Sequence, residues 1–166
     1  MPESLDTKIQ RILFNFFPAY RRSGGRVTYI ADDFREVRIK LPLKWTTRNY
    51  VGTIYGGSIY SAVDPIHMIM LMKLLGDEYV VWDRSASIRF KRPGRETLFA
   101  NFVVPVEETD EIVSVLETRK STNRDYVVEL VNAEGKVHAI VEKEIYVARK
   151  REPVDVKVGE FVPASN

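Results

Sequence analysis

Apolar and polar residues recur along the chain with two periods, one typical of helices and one typical of strands. From about residue 4 to 17 apolar residues repeat at i, i+3, i+4 spacing after Ser4, a favoured N-cap, which predicts an amphipathic helix ending at Pro18. Two short strands are predicted next, at 26–31 and 35–41, and the second alternates apolar and charged residues. The N-terminal part therefore predicts a helix followed by a strand pair.

The rest of the chain predicts one long helix and four further strands. Residues 56–75 are apolar almost all round and end at Gly76, which predicts a central helix buried on every side. Strands are predicted at 79–91, 96–106, 126–131 and 136–147, with a short surface helix at 110–120 capped by Thr109. Short connections favour antiparallel pairing. The expected fold is α+β, with about six antiparallel strands wrapped around the central helix.

Composition narrows the functional classes. A chain of 166 residues fits one domain, over residues 1–148 and including the N-terminal helix, followed by a tail at 149–166. A net charge of +2 is too weak to indicate nucleic-acid binding. The chain contains no cysteine and two histidines, which excludes a cysteine nucleophile and argues against a metal site.

Localisation follows from the same composition. The first 17 residues lack a basic start and a small-residue cleavage site, so no signal peptide is predicted. The apolar stretch at 59–75 is too short and too polar to span a bilayer comfortably. We expect a cytoplasmic protein with no membrane span.

The start of the predicted central helix carries the candidate chemistry. Gly56 and Gly57 leave backbone N–H groups unshielded at a helix N-terminus, where the helix dipole favours a developing negative charge. Asp64 then places a lone carboxylate in an otherwise apolar segment. Such a carboxylate is unfavourable unless it is paired or faces a cavity. Pro65 predicts a kink beside it.

These residues resemble a known family. The run Asn49-x-x-Gly52-x-x-Tyr55-Gly56-Gly57-x(6)-Asp64 is similar to the signature Asn-x-x-Gly-x-x-His-Gly-Gly, followed by an acidic residue, of hotdog-fold acyl-CoA thioesterases of the phenylacetyl-CoA type. The order of elements over about residues 25–148 fits as well. Tyr55 stands where that family has histidine. The surrounding residues and the run at 88–95 look most like a branch carried as a domain of unknown function.

The resemblance implies hydrolysis of an acyl thioester, from coenzyme A or an acyl carrier protein. The Gly57 N–H and Tyr55 would polarise the thioester carbonyl, and Asp64 would act as base or nucleophile. Coenzyme A would enter as part of the substrate, with no other cofactor and no metal. The chain would form a homodimer or a tetramer whose sites are shared between two chains. The residues expected to bind substrate are Asn49, Gly56, Ser61, Lys91, Arg92 and Arg95.

Each candidate residue also has a structural interpretation. The glycine pair suits a tight turn, Asp64 a hydrogen bond to a nearby backbone or hydroxyl group, and Asn49 a loop cap. His67 is expected to be a hydrogen-bonded helix residue, and the cations at 91–95 suit a solvated hairpin tip.

Two other functions and one further element stay open. A hydratase would need its carboxylate and histidine placed differently. A non-catalytic acyl-CoA or lipid-binding module is the main alternative, and the missing motif histidine supports it. In the tail, alternation over 153–162 predicts a strand-like segment that lies in a groove or on a neighbouring protomer.

Overall fold

The structure, a computed structural model, describes residues 2–150 and builds them from five helices and six strands. The helices are α1 (Leu5–Phe16), α2 (Pro18–Ser23), α3 (Gly56–Val63), α4 (Ile66–Leu75) and α5 (Val106–Thr118). The strands are β1 (Arg26–Ile30), β2 (Glu36–Leu41), β3 (Tyr79–Phe90), β4 (Leu98–Val103), β5 (Ser121–Val131) and β6 (Val137–Arg149). The predicted tail segment at 153–162 lies outside the described residues.

All six strands form one antiparallel sheet in the order β1-β2-β4-β5-β6-β3. Alternate residues of each strand face the helices, so the inner face of β6 contributes Val141 and Ile145 to the core, both fully buried. Residues of α3 and α4 such as Val63 and Leu71 pack against this face. The predicted α+β arrangement of about six antiparallel strands around a central helix is confirmed.

The predicted central helix is interrupted. Residues 56–75 form two helices, α3 and α4, that meet at Asp64 and Pro65. Pro65 has no N–H to donate to the carbonyl four residues back, so the hydrogen-bond ladder stops there. The helix pair is also not buried on every side, because Ser61 and Met72 are exposed. The helix pair thus packs on the sheet and leaves part of its own surface exposed.

Other boundaries differ from the sequence prediction by a few residues. Pro18 begins the short helix α2 instead of ending helical structure, since proline suits a first helical position. Helix α5 starts at Val106, and the Thr109 hydroxyl donates to the Val106 carbonyl (2.8 Å) instead of capping the helix. Within residues 2–150, no helix is both long and apolar enough to cross a membrane.

Candidate functional site

The N-terminus of α3 presents free backbone donors. Tyr55 occupies the N-cap position without a side-chain cap bond, and Ile59 is the first residue whose N–H bonds back, to the Tyr55 carbonyl (3.1 Å). The N–H groups of Gly56 and Gly57 therefore have no acceptor within the helix. A Cβ atom on Gly57 would overlap the Tyr55 ring, and one on Gly56 would lie 2.9 Å from Phe90 Cζ. Only glycine allows both rings to approach this helix end.

A cleft of about 400 Å³ opens between this helix end and the turn that follows β3. It brings together four of the predicted site residues, Asn49, Gly56, Lys91 and Arg92. Its apolar wall includes Ile54, Ile59 and Phe90. The other predicted residues, which are Tyr55, Gly57, Ser61, Asp64 and Arg95, do not line it. The cleft thus joins a helix N-terminus, an apolar wall and two cations.

Two residues of the cleft also hold the local backbone. The Asn49 side chain accepts from the Thr53 N–H (3.0 Å) and donates to the Thr53 hydroxyl (2.9 Å), which closes the loop before α3. Arg92 donates to the Val137 carbonyl (2.6 Å), which links the turn after β3 to the start of β6. Lys91 and Arg95 are exposed and have no such structural bond among the described contacts. Their charges are therefore available to solvent or a ligand.

Asp64 is held by a buried lysine from β6. The Lys143 ammonium donates to Asp64 Oδ1 (3.1 Å), to Asp83 Oδ2 (2.7 Å) and to the Asp64 carbonyl, which uses all three of its donors. The Lys143 side chain is 1% exposed, whereas the Asp64 and Asp83 side chains are 39% and 27% exposed. The break between α3 and α4 frees the Asp64 carbonyl for this contact. Asp64 is consequently fixed on one side and open to solvent on the other.

Tyr60 completes the surroundings of the carboxylate pair. Burial, followed by hydrogen bonding to the Asp64 carboxylate, raises the pKa of the Tyr60 phenol well above its ordinary value. The hydroxyl is therefore neutral at physiological pH and available as a donor. Asp83 keeps one buried oxygen, Oδ1, that has no hydrogen-bond partner within residues 2–150. Asp64, Asp83, Lys143 and Tyr60 form what we call the carboxylate cluster.

His67 lies in the apolar interior close to this cluster. Its ring stacks on Tyr126 (centroids 4.7 Å apart) and meets Phe102 edge-on (4.9 Å). The sequence suggests a hydrogen-bonded helix residue, but Nδ1 is buried and has no partner among the described residues. Burial first, and the charge of Lys143 second, lower the pKa of His67 to about 4. His67 is therefore a neutral core residue at physiological pH.

Acid should destabilise the fold through His67. Between its ordinary pKa of 6.5 and the folded value of about 4, the unfolded chain binds a proton that the folded chain excludes. Lowering the pH from 6.5 to 5 should therefore remove about 2 kcal/mol from the free energy of unfolding. The measurement is denaturant unfolding at both pH values. The variant His67→Phe should lose this sensitivity, and an equal loss in both proteins would contradict the assignment.

Lys143 and Asp83 were not predicted from the sequence, although one signal pointed to them. In β6 every second residue faces inward. These inward residues are apolar except for one lysine: Ala139, Val141, Lys143, Ile145 and Val147. Asp83 follows Val81 in the same way in β3. Charged residues at inward-facing strand positions need partners of opposite charge. Two such residues on neighbouring strands indicate an internal ion cluster.

The architecture belongs to the hotdog fold, in agreement with the resemblance noted in the sequence. A probable thioesterase of unknown function from Pseudomonas aeruginosa superposes with a TM-score of 0.77 at 19% identity, covering 90% of this chain and 99% of that one. A thioesterase from Haemophilus influenzae gives 0.66 at 14%, covering 92% and 96%. A mutant thioesterase from P. aeruginosa gives 0.62 at 15%, covering 86% and 94%. These likenesses establish the fold.

The family is established by the sequence. Residues 7–147 match the model of the domain of unknown function DUF4442, and the chain belongs to that family. This is the branch that the residues around the glycine pair resemble. No curated protein matches the chain significantly.

Proposed function

We propose that the protein hydrolyses the thioester of an acyl-CoA or an acyl-carrier-protein conjugate. The observation that carries this proposal is the cleft at the start of α3. It combines backbone donors that have no acceptor within the helix, an apolar wall and two cations. These are the groups needed by a thioester carbonyl, an acyl chain and the phosphates of coenzyme A. Two of the structural relatives are named thioesterases and one is named a probable thioesterase, which supports the same reaction class.

The reaction divides between the two groups of residues. Tyr55 and Gly57 do not line the cleft themselves but flank Gly56, which does. The Gly57 N–H, with the Tyr55 hydroxyl, polarises the thioester carbonyl and stabilises its developing oxyanion. Asp64 accepts a proton from water, whose oxygen forms the new bond to the carbonyl carbon. The C–S bond then breaks and the thiolate takes up that proton. In the alternative route the Asp64 carboxylate attacks the carbonyl carbon, and the C–S bond breaks to release the thiolate. Water then hydrolyses the resulting anhydride, which restores Asp64 and supplies the proton that the thiolate takes up.

One chain cannot easily supply both groups to one substrate. Gly56 and Asp64 are eight residues apart in α3, about 12 Å along the helix axis. A base must come within about 3 Å of its target. The cleft itself has no carboxylate among its lining residues in the described chain. The proposed site therefore takes Gly57 from one protomer and Asp64 from its partner.

The exposed edge of the sheet supports such a dimer. Strand β3 is the edge strand at the end of the sheet opposite β1, extends over 12 residues and leaves Trp82 68% exposed. A long unprotected edge is a template for pairing with another chain. A two-fold pairing of β3 strands would extend the sheet and bring the two helix pairs together. Light scattering should then give twice the mass of one chain, and a stable monomer at micromolar concentration would contradict the shared site.

The cations near the cleft should strengthen binding of coenzyme A. Neutralising Lys91, Arg92 and Arg95 with glutamine should raise KM roughly fivefold at low salt and much less at high salt, since exposed charges are screened. The measurement is KM for one acyl-CoA at both salt concentrations. The variant Lys120→Gln, an exposed lysine elsewhere, serves as the control. An unchanged KM at both salt concentrations would show that the three residues do not contribute to binding of coenzyme A.

A non-catalytic acyl-CoA-binding module is the alternative, because Tyr55 replaces the motif histidine. Incubation with acyl-CoA esters of increasing chain length and a thiol reagent separates the two functions. The chain contains no cysteine, so the reagent reports only released coenzyme A. Thiol release is expected for the enzyme. Binding by calorimetry without release would establish the module.

A further inference from the structure

The N-terminal helix α1 has its apolar face turned away from the protein. We define the apolar stripe as its exposed hydrophobic residues. Their side chains are between 49% and 75% exposed. The members are Leu5, Ile9, Ile12, Leu13 and Phe16 of α1, together with Phe17 directly after the helix. A helix at the surface of a globular protein ordinarily turns such a stripe toward the core.

Apart from Phe14, the inward side of α1 is mainly polar, and its polar groups bind the edge of the sheet. Strand β1 is the outer strand at that end, and its free backbone groups need partners. The Asn15 side chain accepts from the Val27 N–H (2.9 Å) and donates to the Val27 carbonyl (2.8 Å). Glu3 accepts from the Ile30 N–H (3.3 Å). Attachment of α1 thus uses these polar groups together with Phe14, which packs on the core and against the Tyr20 ring (centroids 4.5 Å apart). Within residues 2–150 the apolar stripe takes no part in this attachment.

A basic groove runs beside this helix. It has a volume of about 630 Å³, and Arg11 and Asn15 of α1 belong to its lining. Arg26, Lys40 and Lys44 line the rest of the charged surface, and no acidic residue in the described chain lines it. Lys8 is exposed on the same flank of the helix as Arg11 and Asn15, since residues three and four positions apart are neighbours.

Further cations follow the stripe at its C-terminal end. Arg21 and Arg22 of α2 are exposed, and the Arg21 guanidinium lies 6.0 Å from the centre of the Phe16 ring. The carboxylates nearby are fewer. Glu3 is paired with Arg11 (2.7 Å), and Asp6 accepts from Gln10 (2.6 Å). The surface around α1 is therefore apolar along the apolar stripe. It is basic in the groove beside the helix and at the C-terminal end of the helix.

We propose that this surface docks on an anionic lipid bilayer, with α1 lying in the interface. Apolar side chains that enter the headgroup region, flanked by lysine and arginine, are the pattern of an interfacial helix. Each cation close to the membrane adds electrostatic attraction. A second copy of the chain fits less well, because pairing two such surfaces would bring their cations together. A membrane-bound protein would meet lipid-like acyl thioesters where they partition.

Vesicle flotation with the whole protein tests this assignment. Wild-type protein should float with vesicles of phosphatidylcholine and phosphatidylserine, bind more weakly as salt increases, and stay largely free of pure phosphatidylcholine vesicles. The double variant Ile9→Gln, Leu13→Gln should bind at least about tenfold more weakly. Lys40→Gln with Lys44→Gln should weaken binding and flatten its salt dependence.

The matched control replaces apolar residues exposed elsewhere on the sheet. Val103→Gln with Val127→Gln removes side chains that are 54% and 62% exposed and should bind vesicles as wild type does. Circular dichroism verifies that each variant is folded. Absence of wild-type binding to the anionic vesicles, or equal binding by the Ile9 and Leu13 variant, would overturn the proposal. So would a lower oligomeric mass of that variant with unchanged vesicle binding, which would assign the stripe to a second copy.

Discussion

Replacing Asp64 with asparagine should lower kcat by about 10²–10⁴-fold, the range that a positioned general base contributes. The substitution keeps the size of the side chain, and its amide oxygen still accepts from the Lys143 ammonium, so the local geometry is retained. It removes the carboxylate that we propose takes a proton from water or attacks the thioester. Binding of acyl-CoA and the mass of the oligomer should not change.

The matched control for this variant is Asp77→Asn. Asp77 is exposed in the turn after α4 and belongs to neither the cleft nor the carboxylate cluster. It should hydrolyse acyl-CoA like wild type. The measurements are thiol release for kcat and calorimetry for binding. If Asp64→Asn had the kcat of wild type, the proposed catalytic role of Asp64 would be wrong. The assignments of fold and family would still stand.

Replacing Lys143 with methionine should impair both stability and turnover. Without the ammonium, Asp64 and Asp83 face each other without a cation, and the free energy of unfolding should fall by about 2 kcal/mol, since both carboxylates keep some contact with water. Asp64 also loses the contact that orients it. A displacement of about 1 Å at a reacting group can lower the rate on the order of 10²-fold.

A second substitution separates these two effects. In Lys143→Met with Asp83→Asn one of the facing carboxylates is neutral, so most of the lost stability should return. Turnover should stay low, because Asp64 is still not held. Lys136→Met, at an exposed position of the same hairpin, is the control for loss of a lysine. Recovery of kcat together with stability would show that Lys143 has only a structural role.

Much of the fold could be predicted from the residue pattern. Alternation in β2, where Val37, Ile39 and Leu41 are buried, follows directly from its sequence. Short turns determine antiparallel pairing, and the apolar run at 56–75 determines what the sheet surrounds. Part of the cleft could also be predicted, because the sequence shows a glycine at the start of α3 and a Pro-Gly turn at 93–94, and both line it. Its exact lining was not, since it depends on how β3 ends against the loop at 49–54.

The remaining features depend on tertiary partners. Two features combine at the interruption near Asp64. Pro65 stops the hydrogen-bond ladder, and Lys143, 79 residues from Asp64 in the sequence, donates to the Asp64 carbonyl. Periodicity within one segment cannot show that second partner. Likewise the apolar pattern of α1 predicts an amphipathic helix but not its orientation. Asn15 and Glu3 hydrogen-bond the edge of β1, and with the helix held in this way most of its apolar residues face outward.

The central claim is that one thioesterase site takes the α3 N-terminus from one chain and Asp64 from the other. Mixing two inactive variants, Asp64→Asn and Gly57→Pro, tests it most directly, since proline removes the N–H proposed to bind the oxyanion. In an equal mixture half of the dimers should be mixed, each with one intact site, so thiol release should return to about a quarter of the wild-type rate. Native mass spectrometry establishes that mixed dimers have formed. No recovery of activity in proven mixed dimers would contradict the shared site.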